Sequence, residues 1–182
     1  RSRGCKMKRI GVFCSSRGDI RQEFIDAGRE LGTEIGKRGA EMVYGGSKCG
    51  LMDITAQAVR SAGGRTVGVM PQVLLDKGLE ADADLVFYTA NLDDRKATML
   101  READVFVALP GGIGTLDEIF TVVAANTLGY HNKTTILYFV CGFWQPLIDA
   151  LKKIDAEKMM DSRWGERLKA ISTPEELYEM IF

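Results

Sequence analysis

The chain has 182 residues, enough for one domain with a sizeable core. Hydrophobic residues make up 46% and charged residues 27%, and the net charge is −1, which recommends neither nucleic acid nor another polyanion as a partner. The longest apolar run, Ile136 to Trp144, is too short to span a bilayer, and the basic start, Arg1 to Lys8, leads into a strand rather than a signal-peptide core.

In chain order, Lys8 to Cys14 reads as a first strand. A helix follows over about Arg21 to Arg38, with Phe24, Gly28, Leu31 and Ile35 on one face and Gly39 as its stop. Glu41 to Tyr44 is a short second strand, turned by Gly45-Gly46. Leu51, Ile54 and Ala58 mark a second helix that ends near Gly63-Gly64. Arg65 to Met70 is a third strand, stopped by Pro71. Gln72 to Asp84 lacks a clear period and is expected to be a mobile loop with a helical turn.

Leu85 to Tyr88 is the fourth strand, and Asn91 caps a helix over Leu92 to Ala103. Val105 to Leu109 is the fifth strand, followed by a helix over Thr115 to Leu128. Thr134 to Val140 is the sixth strand, and Gln145 to Lys153 is helical. Thr173-Pro174-Glu175-Glu176 is a well-formed helix start, with a cap, a proline at the first position and a glutamate three residues after the cap. This alternation predicts a single α/β domain over residues 1–182: a Rossmann-like three-layer αβα fold with a mostly parallel sheet. Ligands of such sheets bind beyond the carboxyl ends of the strands. Three turns at that edge are rich in small residues: Ser15-Ser16, Gly45-Gly46-Ser47 and Gly111-Gly112.

The most specific segment is Pro110-Gly111-Gly112-Ile113-Gly114-Thr115-Leu116-Asp117-Glu118. The six residues that define P-G-G-x-G-T-x-x-E would coincide by chance at roughly 10⁻⁷ per start position. Gly111, Gly112 and Gly114 can present successive N–H groups to a phosphate, and Thr115 adds a hydroxyl. Thr115 and Glu118 also have the spacing of a capping box, which by itself needs no P-G-G-x-G in front of it. Glu118 lies in the first turn of its helix, where the dipole favours the ionised form, so the sequence casts it as a carboxylate rather than a proton donor.

Asp93-Asp94-Arg95-Lys96 reads either as a solvated charged turn or as an anion site, since Arg95 and Lys96 run against the dipole preference of a helix start. Gly45 to Met52 fits neither a P-loop nor G-x-G-x-x-G; a tight strand-to-helix turn is the alternative to a ligand loop. The four cysteines, at 5, 14, 49 and 141, form no C-x-x-C pair and stand beside one histidine, His131. No metal site is expected, and reduced thiols suit a cytoplasmic protein.

These residues resemble one family, the LOG ("Lonely guy") phosphoribohydrolases, Rossmann-like proteins once widely labelled possible lysine decarboxylases. The resemblance runs over nearly the whole chain. It rests on Pro110 to Glu118, on the Arg-Lys pair before Ala-x-Met at Arg95-Lys96-Ala97-Thr98-Met99, on Gly45 to Met52, and on Leu128-Gly129-Tyr130-His131. It implies hydrolysis of the N-glycosidic bond of a nucleoside 5′-monophosphate, a cytokinin riboside monophosphate or AMP, to free base and ribose 5-phosphate. It implies no metal or organic cofactor, and a homodimer with active sites near the interface, to which the apolar helix from Ile119 to Leu128 is a candidate contributor. The implied catalytic residues are Arg95 and Glu118. The implied substrate and phosphate contacts are Ser15, Gly45, Gly46, Lys96, Gly111, Gly112, Gly114 and Thr115. Against the family pattern, Ser47 replaces a glycine, Asp53 replaces another, Asp93-Asp94 replaces His-Glu, and Thr121, Ala125 and Thr127 replace Glu, Trp and Gln.

Two other readings compete. One is a non-catalytic nucleotide- or cofactor-binding carrier of the same fold, which would need neither Arg95 nor Glu118. The other is lysine decarboxylation, which normally needs pyridoxal phosphate on a lysine, and no lysine in the sequence is placed for that.

Overall fold

The computed structural model describes residues 6–182, so Cys5 and most of the basic start lie outside the described residues. The elements alternate along the chain. They are β1 (Arg9–Phe13), α1 (Gln22–Lys37), β2 (Glu41–Tyr44), α2 (Gly50–Ser61), β3 (Arg65–Pro71), α3 (Gln72–Asp76), β4 (Leu85–Thr89), α4 (Leu92–Glu102), β5 (Val105–Ala108), α5 (Ile113–Thr127), β6 (Thr135–Tyr138), α6 (Gln145–Ala156), α7 (Trp164–Arg167), β7 (Leu168–Ile171) and α8 (Pro174–Ile181). The strands form one seven-stranded sheet in the order β4-β3-β2-β1-β5-β6-β7. Every pairing is parallel. This is the Rossmann-like three-layer arrangement that the alternation of strands and helices predicts.

Both faces of the sheet are covered, so its strands read as continuous apolar runs. Ile10, Val12, Met42, Tyr44, Val105 and Val107 pack beneath α1, α2 and α8, which supply Leu31, Ile35, Val59, Leu177 and Ile181. The intervening residues, Phe13, Val43, Val67, Phe106 and Ala108, face Met99 of α4, Ile119 and Val122 of α5, and Ile148 of α6. Phe13 and Phe106 stack at 5.2 Å on that second face. The buried Trp144 indole donates to the Ala108 carbonyl (3.1 Å), which fixes the end of β5 just before the glycine-rich turn. Among the described residues, no helix is long and apolar enough to cross a membrane.

The predicted caps form. Asn91 Oδ1 accepts from the Asp94 N–H (2.9 Å) and Thr173 Oγ1 from the Glu176 N–H (3.3 Å). Four features differ from expectation. The edge strand β7 and the short α7 were not foreseen, because Arg163 to Lys169 is charged and shows neither period. The helix after β5 begins at Ile113, two residues before Thr115. The segment after β3 is also not a loose loop. Its turn α3 is followed by Leu79 and Ala81, which are hydrogen-bonded to the β2–α2 loop (Lys48 N–H to Leu79 O, 2.9 Å; Ala81 N–H to Gly46 O, 3.0 Å). These are backbone contacts, invisible to side-chain periodicity.

Helices α1 and α2 meet along Gly28, Gly32 and Gly36, spaced four apart. A Cβ on Gly32 would strike the Thr55 carbonyl, and one on Gly36 would lie 2.6 Å from that of Val59. Backbone cannot retreat as a flexible side chain can, so Gly32→Ala is expected to destabilise the protein by about 1–3 kcal/mol. Urea unfolding should show a lower midpoint at unchanged slope; an unaltered midpoint would contradict this packing.

Candidate active site

The sheet's switch point lies between β1 and β5, where the chain winds outward in both directions. A cleft of about 520 Å³ opens there, beyond the carboxyl ends of the strands. From the β1 turn it is lined by Cys14, Ser15, Ser16 and Arg17, from the β2–α2 turn by Ser47 and Cys49, and from α2 by Met52. Leu74 and Leu79 come from the segment after β3, Arg95 from α4, and Gly112 to Thr115 and Glu118 from α5.

The starts of α2 and α5, which both line this cleft, are not equivalent. At α2 the first N–H groups are consumed: Leu51 donates to Arg17 O (3.1 Å), Met52 to Ser15 O (3.2 Å) and Asp53 to Cys49 O (3.4 Å). At α5, Gly112 is the N-cap and accepts from the Leu116 N–H (3.0 Å), so helix geometry leaves the N–H groups of Ile113, Gly114 and Thr115 without intrahelical partners. No side chain caps α5. The capping box suggested by the spacing of Thr115 and Glu118 does not form, because Thr115 is already inside the helix. The free N–H groups and the dipole therefore make α5 the anion end of the cleft.

Glu118 lies one turn further along, partly buried. Burial pushes its carboxyl up to about 7; Asp117 adds to this, while Arg95 and Lys96 oppose it. This corrects the expectation from the dipole: Glu118 lies past the first turn of α5, where the dipole has faded, so desolvation prevails and both protonation states are accessible near neutral pH. Burial holds the Arg95 guanidinium below its ordinary range, against the pull of Glu118. Arg95 Nη2 donates to the Gly45 carbonyl (2.9 Å), and its buried Nε has no partner. No ion pair joins Arg95 to Glu118 among the described residues, so the two share the cleft without neutralising each other by contact. Cys14, also buried there, has its thiol pushed far up by burial and by the Glu118 charge, the opposite of an activated nucleophile.

Of the residues expected at the site, Ser15, Arg95, Gly112, Gly114, Thr115 and Glu118 line the cleft. Gly111 lies beneath the Thr115 side chain. Gly45 and Gly46 are buried behind the cleft, one receiving Arg95 and the other Ala81. Lys96 is paired with Asp117 (3.1 Å) and Asp93 (3.4 Å). Arg17, Leu74 and Leu79 were not anticipated; Arg17 directly follows the Ser15-Ser16 turn, the one signal that marked it. Among the described residues no group of histidines, cysteines and carboxylates fits a metal ion. No lysine lines the cleft, so its residues do not fit pyridoxal phosphate held as a Schiff base.

A family model described as "Possible lysine decarboxylase" matches residues 52–181. A probable cytokinin riboside 5′-monophosphate phosphoribohydrolase of Oryza sativa subsp. japonica is 36% identical over 177 residues, 97% of this chain and 71% of that protein. A cytokinin riboside 5′-monophosphate phosphoribohydrolase of Arabidopsis thaliana is 40% identical over 149 residues, 81% of this chain and 65% of that protein. Among solved structures, the molybdenum cofactor binding protein of Rippkaea orientalis superposes with a TM-score of 0.73 at 22% identity, covering 97% of this chain and 96% of that one, a likeness of fold.

The raised carboxyl has a consequence for stability. Its ordinary value is 4.5 and its folded value about 7, so burial penalises only the ionised form. The penalty is absent below pH 4.5, grows between the two values and is complete above pH 7. Glu118→Gln should therefore raise the thermal midpoint relative to wild type above pH 7, with the gain fading as pH falls through this window. A gain independent of pH would contradict the assignment.

Proposed function

This chain belongs to the LOG family of phosphoribohydrolases, and we propose that it hydrolyses the N-glycosidic bond of a nucleoside 5′-monophosphate to free base and ribose 5-phosphate. The observation that carries the reading is the cleft itself, where free helix N–H groups, a near-neutral carboxyl and an arginine stand in sequence across the switch point.

The phosphate sits on the N–H groups of Ile113, Gly114 and Thr115. Binding energy at that remote end places the anomeric carbon beside Glu118, one turn further along α5. As the bond to the base breaks, its electron pair leaves with the base nitrogen and positive charge develops on the ribose. Ionised Glu118 stabilises that charge and accepts a proton from the attacking water, whose hydroxyl adds to the anomeric carbon. The proton taken by Glu118 then passes to the departing base, so water is divided between the two products. A carboxyl near neutrality suits a group that must accept and return a proton. Arg95 favours the ionised form of Glu118 and holds the substrate. Lys96 acts from behind, through Asp117, rather than on the phosphate directly.

The base extends toward the other end of the cleft. Three strand spacings separate β5 from β3, roughly 14 Å, and the far end is closed by Met52, Leu74 and Leu79. An aliphatic wall there favours a base with an apolar substituent, as in a cytokinin riboside monophosphate, over the bare amino group of AMP. The reading further takes the protein to be a cytoplasmic homodimer with its sites near the interface. The exposed apolar side chains of Phe120, Leu128 and Tyr130 on and just beyond α5 support that assembly. The carrier reading is the weaker one, because holding a ligand requires no buried carboxyl poised to exchange a proton.

Chromatography of free base tests the chemistry. Glu118→Ala is expected to lower kcat/KM by about 10²–10⁴-fold, while calorimetry still detects ribose 5-phosphate binding; turnover at the wild-type rate would sink the mechanism. Leu74→Ala is expected to lower kcat/KM for isopentenyladenosine monophosphate by roughly tenfold more than that for AMP. Equal losses on both would remove the aliphatic wall from substrate selection.

A further inference from the structure

Gly45 and Gly46 turn the chain after β2, and the sequence pattern alone places them among the substrate contacts. The structure gives Gly45 a different surrounding. It is buried, it does not line the cleft, and its carbonyl accepts a hydrogen bond from Arg95 Nη2 at 2.9 Å across fifty residues of sequence. A Cβ at Gly45 would collide with that same nitrogen and lie 2.6 Å from the Cζ of Arg95. The Nη2 end of the guanidinium thus occupies the space where any side chain at this position would begin. Its Nε is buried and unpartnered, so the Gly45 carbonyl is the one protein acceptor fixing the group among the described residues.

We propose that Gly45 is a positioning residue for the hydrolysis: its bare backbone is the seat that holds the Arg95 guanidinium in the cleft with Glu118. This rests on the reading of Arg95 and Glu118 as the acting pair. A long side chain anchored at one donor loses little freedom when substrate arrives, and the fixed charge acts without reorganising. The charged groups that act on Glu118 are Arg95 and Lys96 on α4 and Asp117 on its own helix; the Cys14 thiol after β1 faces it but stays neutral. Lys96 is already held by two carboxylates, so displacing Arg95 removes the larger of the two cationic influences on Glu118.

The test is a double-mutant cycle of Gly45→Ala and Arg95→Ala, read by three measurements: base release from AMP, the thermal midpoint, and the titration of the Glu118 carboxyl followed by carbon NMR in glutamate-labelled protein. Gly45→Ala should lower kcat nearly as far as Arg95→Ala and move the Glu118 titration to higher pH. In the Arg95→Ala background, Gly45→Ala should cost no more than roughly threefold in kcat. It should also regain the thermal stability it loses alone, because the collision is gone. Should Gly45→Ala fail to fold, the double variant is still expected to fold. The proposal is overturned if Gly45→Ala leaves the titration at its wild-type position, if the two kcat losses multiply, or if the double variant does not fold either. Should wild type release no base, the reading of the reaction fails, while titration and thermal midpoint still decide the seat.

Discussion

A carboxyl buried beside a free helix start is the constraint around which the rest of this structure is arranged. Taking Glu118 out of water disfavours its charge, and it stands past the first turn of α5, where the helix dipole has faded. Arg95 must therefore stand in the same cavity. Arg95 is itself buried and needs an acceptor, which the fold supplies as the Gly45 carbonyl at the end of β2. The site thus draws on α5, α4 and the β2 turn together, and only a sheet whose order brings β2, β1 and β5 side by side joins them.

The opposite edge of the sheet handles charge differently. Arg9 at the start of β1 is closed by Glu41 and Glu102, each at 2.6 Å, and its N–H by Asp104 at 2.9 Å. Arg9 is thus fully matched by carboxylates. At the carboxyl edge, among the described residues, the pairing is left incomplete: Arg95 keeps an unpartnered Nε, and Glu118 has no ion pair. An unpartnered buried charged group costs stability, and groups with shifted titration cluster at functional sites.

Much of this was legible in the sequence. The alternation of strands and helices fixes the fold, and Asn91 and Thr173 announce their helices because a cap is a local hydrogen bond between near neighbours. Pro110 to Glu118 marks the site because three glycines, a hydroxyl and a carboxylate seldom fall together. What stayed hidden depends on contacts between distant segments. The Gly45 carbonyl accepts its hydrogen bond from a side chain fifty positions away. Leu74 and Leu79 reach the cleft because the backbone of residues 79–81 is tied to the loop after β2. The titration of Glu118 follows from burial, which no spacing reveals. The start of α5 at Ile113 rather than Thr115 is a further case, since a glycine N-cap leaves no side-chain signature.

The account's central claim is hydrolysis at the anomeric carbon, and the most direct measurement is the product balance of the wild-type protein on isopentenyladenosine monophosphate and AMP, each resolved by chromatography. The account predicts free base and ribose 5-phosphate in equal amounts, with the substituted base released faster. Intact nucleotide after prolonged incubation, or a nucleoside with inorganic phosphate in place of free base, would contradict it.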